Sequence, residues 1–196
     1  MENLNGYMDV NDWRLLYAMG TIILSPLYWN VIGRLEMKTK FFTSIFGSNY
    51  IGCYFIGLTI LMLGFHRDYR FYDLIEAQPK SDFLDQESFK FIGTALMVVG
   101  TILVLTSYWR LGFTGTFLGD YFGILLEERV TTFPFNIFDN PMYIGSTSNF
   151  LGLALRSASP CGIIMSGFVY LVYWIGLLLE EPYTEEIYRQ KNEKLT

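Results

Sequence analysis

Ser157-Ala-Ser-Pro-Cys-Gly-Ile-Ile-Met-Ser-Gly-Phe-Val-Tyr-Leu-Val-Tyr-Trp-Ile-Gly-Leu-Leu-Leu179 is a run of 23 residues without a charge, and it ends directly on Glu180-Glu181-Pro182. As a helix this run rises about 34 Å, enough to cross a hydrocarbon core of about 30 Å. Outward from it lie three more uncharged runs of comparable length: residues 15–33, 41–65 and 91–109, with 19, 25 and 19 residues. Hydrophobic residues make up 52% of the chain, aromatics 18% and charged residues only 17%, below the roughly one quarter usual in soluble domains. A soluble core of 196 residues has no room to bury that much apolar surface. These features predict an all-α, polytopic integral membrane protein with four full apolar spans, organised as a single domain over residues 1–196.

A fifth apolar segment follows Asp139. Its helical part, residues 142–155, rises only about 21 Å and is too short to cross alone. The turn signal at Ser157, Ser159 and Pro160 then predicts a short helix hairpinned with the last span. That hairpin would return Tyr143 to the side of the membrane where Glu180 emerges. The first run contains Pro26, so it either crosses with a kink or enters and leaves on one side. Residues 67–90 carry mixed charge and Pro79 and read as a solvated loop, with His66 marking a membrane boundary. Lys and Arg are too evenly divided between the two sides to set orientation.

The net charge of −5 speaks against a nucleic-acid partner, which favours a basic face. Cys53 and Cys161 both lie in apolar runs and read as packing residues, and no Cys/His spacing suggests a metal. With His66 as the single histidine, serine hydrolase chemistry is improbable. The polar start, residues 1–12, has no basic region or cleavage signal, so the first span is expected to be retained.

Three features could carry chemistry. Gly115, Gly119 and Gly123 recur at spacing four, which on a helix would give one smooth face for packing or for a flat ligand. Asp120 is a carboxylate in an apolar setting, which costs roughly 2.5–3.5 kcal/mol at membrane depth unless paired or hydrated. Glu180 and Glu181 admit two readings from spacing alone. Pro182 could open a new surface helix over residues 183–194, with the acids complementing its dipole. Alternatively, the adjacent carboxylates bind a cationic or hydroxyl-rich ligand at the membrane edge.

Leu111-Gly-Phe-Thr-Gly-Thr-Phe-Leu-Gly-Asp-Tyr-Phe-Gly-Ile-Leu125 closely resembles the phospholipid methyltransferase family that methylates phosphatidylethanolamine. The resemblance continues through Phe133-Pro-Phe-Asn136, Asn140-Pro-Met-Tyr143 and Gly145-Ser-Thr147, and closes with Glu180-Glu-Pro-Tyr-Thr184 and Ile187-Tyr-Arg-Gln190. Pro26-Leu-Tyr-Trp-Asn30 and Phe46-Gly47-Ser48 are also similar to that family. The resemblance implies methyl transfer from S-adenosylmethionine to the amine of phosphatidylethanolamine and its mono- and dimethyl forms, giving phosphatidylcholine. It implies an endoplasmic-reticulum membrane location, also at mitochondria-associated membranes, and a phospholipid substrate drawn from the bilayer. It assigns the cofactor to a Gly-x-Gly element and a glutamate pair. Glu180 and Glu181 match the pair, and Val98-Val99-Gly100 stands at the glycine element, so that Val99 and Gly100 are the implied contacts and Val98 departs from the pattern.

The chemistry such a reaction needs nominates two further residues. The attacking amine must be neutral, and Asp120 is a candidate to take its proton. Tyr143 and Tyr121 are candidates to face the developing cation by cation–π contact. Competing readings are a membrane methyltransferase of the isoprenylcysteine type, which is more distantly similar through Asn140-Pro-Met-Tyr-x-Gly145 and the acidic pair, a non-catalytic scaffold, and a small-solute carrier. The carrier reading lacks the internal repeat common in transporters.

Overall fold

The computed structural model describes residues 6–127 and 130–193, in which six helices follow in order. These are α1 (Trp13–Thr39), α2 (Phe41–Phe46), α3 (Asn49–Ala77), α4 (Glu87–Thr116), α5 (Pro141–Arg156) and α6 (Pro160–Glu193). Four of them, α1, α3, α4 and α6, are long and apolar enough to cross a membrane, as the uncharged runs predict. The chain is an all-α, multi-pass membrane protein.

The Asp12 carboxylate accepts the Arg14 N–H at 2.9 Å and starts α1, which then runs unbroken through Pro26. The first run is therefore one continuous helix long enough to cross, not a segment that turns back on itself. Pro26 removes one helical hydrogen bond, but its ring fits against Gly176 of α6, where an added Cβ would meet Pro26 Cβ at 2.9 Å. At the far end the buried Glu36 accepts from Phe42 N–H at 2.8 Å and from the Thr43 hydroxyl at 2.5 Å, which fastens α2 to α1.

α3 continues to Ala77, so the stretch read as a loop from residue 67 becomes loop only at Gln78. Phe71, Leu74 and Ile75 bury one helical stripe, and Arg67 falls on the same face one turn earlier. Charges interleaved with it, such as the Arg70–Asp73 pair at 3.8 Å, hide that stripe in the sequence. α4 also departs from expectation. It breaks at Gly112 (φ 65°) and ends at Thr116, so Gly119 and Gly123 lie in the turns beyond it. The three glycines do not share a helical face.

The hairpin is present as predicted. α5 opens on Pro141 and is followed by a turn at residues 157–159, where the Ser159 hydroxyl oxygen accepts the Gly162 N–H at 3.1 Å. α5 packs on α4 through two glycine pairs. A Cβ on Gly93 would stand 2.6 Å from the Gly152 carbonyl, and one on Gly100 2.5 Å from the Gly145 carbonyl. Such approach requires bare backbone on both helices.

α6 runs through Glu180, Glu181 and Pro182 to Glu193 without interruption. The separate surface helix expected from residue 183 is its continuation, and Lys194 lies outside the described residues. Pro182 has no N–H to give the Leu178 carbonyl, and beside that gap the Leu179 carbonyl accepts from the Arg34 guanidinium at 2.8 Å. The acidic pair thus sits inside a helix. Dipole complementation at a helix start no longer accounts for it.

Hydrogen bonds fix the sides. Asp9 N–H to Gln78 Oε1 (2.8 Å) and Ser81 N–H to the Ala158 carbonyl (2.9 Å) gather the start of α1, the end of α3 and the hairpin turn. On the opposite side, Lys40 Nζ reaches the Tyr121 carbonyl at 3.3 Å and Lys191 Nζ the Leu126 carbonyl at 2.8 Å. Glu180, Asp120 and the start of α5 belong to this second side.

Candidate active site

The helices border an open cavity of about 630 Å³, whose walls include Trp29 of α1, Arg67 of α3, Tyr143 and Asn149 of α5, and Tyr173 and Glu180 of α6. A volume of this order suits a small-molecule ligand. Glu180 closes one end. The Trp29 indole N–H donates to Glu180 Oε2 at 3.2 Å, and the Tyr143 hydroxyl donates to the same oxygen at 3.4 Å. Among the described residues Oε1 receives no hydrogen bond, so one carboxylate oxygen is held in place while the other can still accept. The hairpin delivers Tyr143 to this contact, as its length predicts.

Glu181, one residue on, points elsewhere. It is exposed and accepts from the Asn140 side-chain amide at 3.3 Å. Helical geometry turns consecutive side chains about 100° apart, so the pair divides into an inner carboxylate on the cavity and an outer one at the rim beside the α5 start.

Three aromatic rings flank Glu180. Tyr143 and Tyr173 have centroids 5.1 Å apart, and Trp29 lies 6.1 Å from Tyr143 and 6.5 Å from Tyr173. Such π-faces beside a carboxylate suit a cationic ligand. Trp29 and Tyr173 are functional candidates that sequence reasoning passed over. An indole donor buried in an apolar span needs an acceptor, and that requirement was the available signal for Trp29. Nothing local marked Tyr173, whose role depends on packing between α5 and α6.

Asp120 is partly buried in the segment after α4 and does not line the cavity. It accepts from the Thr184 hydroxyl at 3.1 Å, one helical turn beyond Glu180 on α6. Burial pushes its carboxyl above the ordinary carboxylate range, and the bonds from Thr184 and the Tyr121 N–H oppose that rise. Tyr121 itself is buried against Gly33, and burial together with the negative charges of Glu180 and Asp120 raises its phenol.

The glycine element is placed differently. Val98 and Val99 are about half exposed on the outer face of α4, and Gly100 is buried against Gly145 and Asn149. None of the three lines the cavity, whereas the neighbouring Met97 and Thr101 do. Thr101 donates to Asn149 Oδ1 at 3.4 Å, so the bare backbone at Gly100 lets Asn149 stand at the wall. Among the described residues no group of three or more His, Cys, Asp and Glu side chains is placed to hold a metal ion.

The family model for phospholipid methyltransferases matches residues 89–191, which take in the length of α4, the Asp120 segment, the α5–α6 hairpin and the acidic pair. The chain belongs to this family. It is 50% identical over 195 residues to the phosphatidylethanolamine N-methyltransferase of Rattus norvegicus, covering 100% of this chain and 98% of that one. The corresponding enzyme of Homo sapiens is 51% identical over 191 residues, covering 97% and 96%. A phosphatidyl-N-methylethanolamine N-methyltransferase of Emericella nidulans is 44% identical over 194 residues, covering 99% and 95%. No solved structure matches the chain. In this member of the family α1, outside the range of the family model, still contributes the Trp29 donor to the site.

Proposed function

We infer that this chain methylates the amine of phosphatidylethanolamine and of its mono- and dimethyl derivatives, with S-adenosylmethionine as donor and phosphatidylcholine as the end product. The observation that carries this reading is the Glu180 carboxylate, half satisfied by Trp29 and Tyr143, at the wall of a membrane-embedded cavity in a chain similar to such enzymes over its full length. The donor supplies a methyl group already activated on a sulfonium, so alignment is the main requirement on the protein.

The residues present fit that donor. Glu180 Oε1 is free to accept from an ammonium or from ribose hydroxyls, and Glu181 offers a second acceptor at the rim. The Tyr143 and Tyr173 rings face the acceptor nitrogen as it gains positive charge. Asp120 lies off the cavity wall, bonded to Thr184 one helical turn beyond Glu180, and serves as the eventual and not the direct acceptor of the proton the amine must lose. Gly100 acts by admitting Asn149 to the cavity wall, and Val99 lies beside it on the outer face. The lipid amine enters laterally from the bilayer, and the donor enters from the side of the C-terminal tail.

Purified protein in lipid should transfer labelled methyl from S-adenosylmethionine to phosphatidylethanolamine, its monomethyl form or its dimethyl form. Absence of label in all three would leave a non-catalytic membrane protein. For location we propose the endoplasmic-reticulum membrane, together with mitochondria-associated membranes. Fractionation that finds the chain in neither would refute this.

A further inference from the structure

Three arginines have guanidinium groups drawn into the helix bundle, and two of them are matched by acids. Arg67 pairs with Asp68 at 2.7 Å, and Arg70 with Asp73 at 3.8 Å. Arg34 of α1 is different. Among the described residues it makes no salt bridge, although Glu180 and Glu181 follow immediately on Leu179, the residue whose carbonyl it contacts. Its Nε, like that of Arg70, is buried with no hydrogen-bond partner, so the missing acid is what sets Arg34 apart.

What holds Arg34 is neutral. Nη2 donates to the Leu179 carbonyl at 2.8 Å and to Asn30 Oδ1 at 3.4 Å, and the guanidinium lies over the Tyr183 ring at 4.3 Å from its centroid. Asn30 is itself fixed by bonds from its amide to the Pro26 carbonyl (3.1 Å) and the Gly176 carbonyl (3.4 Å). The result is a positioned cation with unspent donors, anchored to the residue before Glu180 and stacked on the residue after Pro182. Nearby Glu36 is committed to the α1–α2 junction. A buried donor without a partner is costly, and so is a positive charge at a membrane edge without a counterion.

We propose that Arg34 is the oxyanion anchor of the methyl-transfer site, binding either the α-carboxylate of the methyl donor or the phosphodiester of the acceptor lipid. The inference rests on the function proposed above. Both ligands of that reaction carry a cationic and an anionic group, while the acids Glu180, Glu181 and Asp120 match only the cations. Arg34 lies just outside the cavity wall, beside Leu179 and Tyr183, and supplies the missing charge on the same side of the membrane; its guanidinium can grip a carboxylate or phosphate through two donors.

The test uses the full chain in lipid nanodiscs with two probes, S-adenosylhomocysteine and its decarboxylated analogue, titrated calorimetrically. The parent should prefer the carboxylate-bearing probe by about tenfold or more, and Arg34→Gln should erase that preference. If the preference survives while the KM for dimethylated phosphatidylethanolamine rises about tenfold, the phosphodiester is the anion held. Arg34→Lys keeps the charge without the fork and should fall between parent and Gln variant in whichever parameter moves, and it stands in should Arg34→Gln fail to fold. Parent-like values for both probes and for lipid KM in the Gln variant, or in the Lys variant if that one stands in, would overturn the proposal. Glu180→Gln runs alongside. If it weakens S-adenosylhomocysteine while Arg34 variants change nothing, only this inference fails; if neither moves the probe, the site itself is misplaced.

Discussion

The two polar ends of the cavity are built on opposite plans. At the inner end, Arg67 of α3 is saturated. Its guanidinium lies 5.2 Å from the Phe150 centroid and 5.6 Å from that of Tyr173, bonds the Tyr173 hydroxyl, and pairs with Asp68 at 2.7 Å. At the other end, Glu180 has two donors on one oxygen, no cation within ion-pair distance among the described residues, and a second oxygen left over. Both are ionisable groups inside a bundle, yet one is closed upon itself and the other is open toward a ligand. Satisfied intramembrane charge builds structure, and partly satisfied charge marks where something binds.

That contrast can be broken in three places. The largest effect is expected at the seam that holds the open end together. Gly100→Ala puts a methyl group 2.5 Å from the Gly145 carbonyl and from Asn149 Oδ1, so backbone must move. Thermal unfolding in detergent should show a loss of roughly 1–3 kcal/mol, with methyl transfer falling in step. Reduced donor affinity at unchanged stability would instead make Gly100 a direct ligand contact. Arg67→Gln should come next. Removing one member of the closed pair lowers stability by about 1–3 kcal/mol, while the affinity for S-adenosylhomocysteine stays that of the parent. The smallest effect belongs to Val98→Gly. Val98 is 55% exposed on the outer face of α4, so introducing the glycine that the resemblance implies there should leave donor affinity unchanged; a clear gain would show that α4 presents this face to the donor.

Sequence and structure agree where one physical quantity decides. Length alone separated the four spans from the 16-residue α5, and the Ser157–Pro160 turn signal then paired α5 with α6. Local reading failed where the deciding partner is remote. Phe71 stacks near Phe150 of α5 and Ile75 lies beside Gly162 of α6, so the stripe that holds Arg67, Phe71, Leu74 and Ile75 is buried by remote helices and its segment read as loop. Pro182 read as a helix start because the contacts that hold α6 straight beside it, such as Arg34 to the Leu179 carbonyl, come from a helix far back in the chain. Glu180 was visible as a carboxylate at the end of an apolar run, and the resemblance nominated it. Its indole and phenol donors, 151 and 37 residues away in sequence, could not be assigned before α1 and α5 were packed beside it.

The measurement that bears most directly on the open end is the affinity of Glu180→Gln for S-adenosylhomocysteine, with folding checked by the thermal unfolding curve. Gln keeps the size and one acceptor oxygen but removes the charge. A hydrogen bond to a charged group contributes about 1.5–3 kcal/mol, so binding should weaken by roughly 10- to 150-fold while the unfolding transition survives. A folded Glu180→Gln variant that binds as tightly as the parent would contradict the account and move the site away from α6.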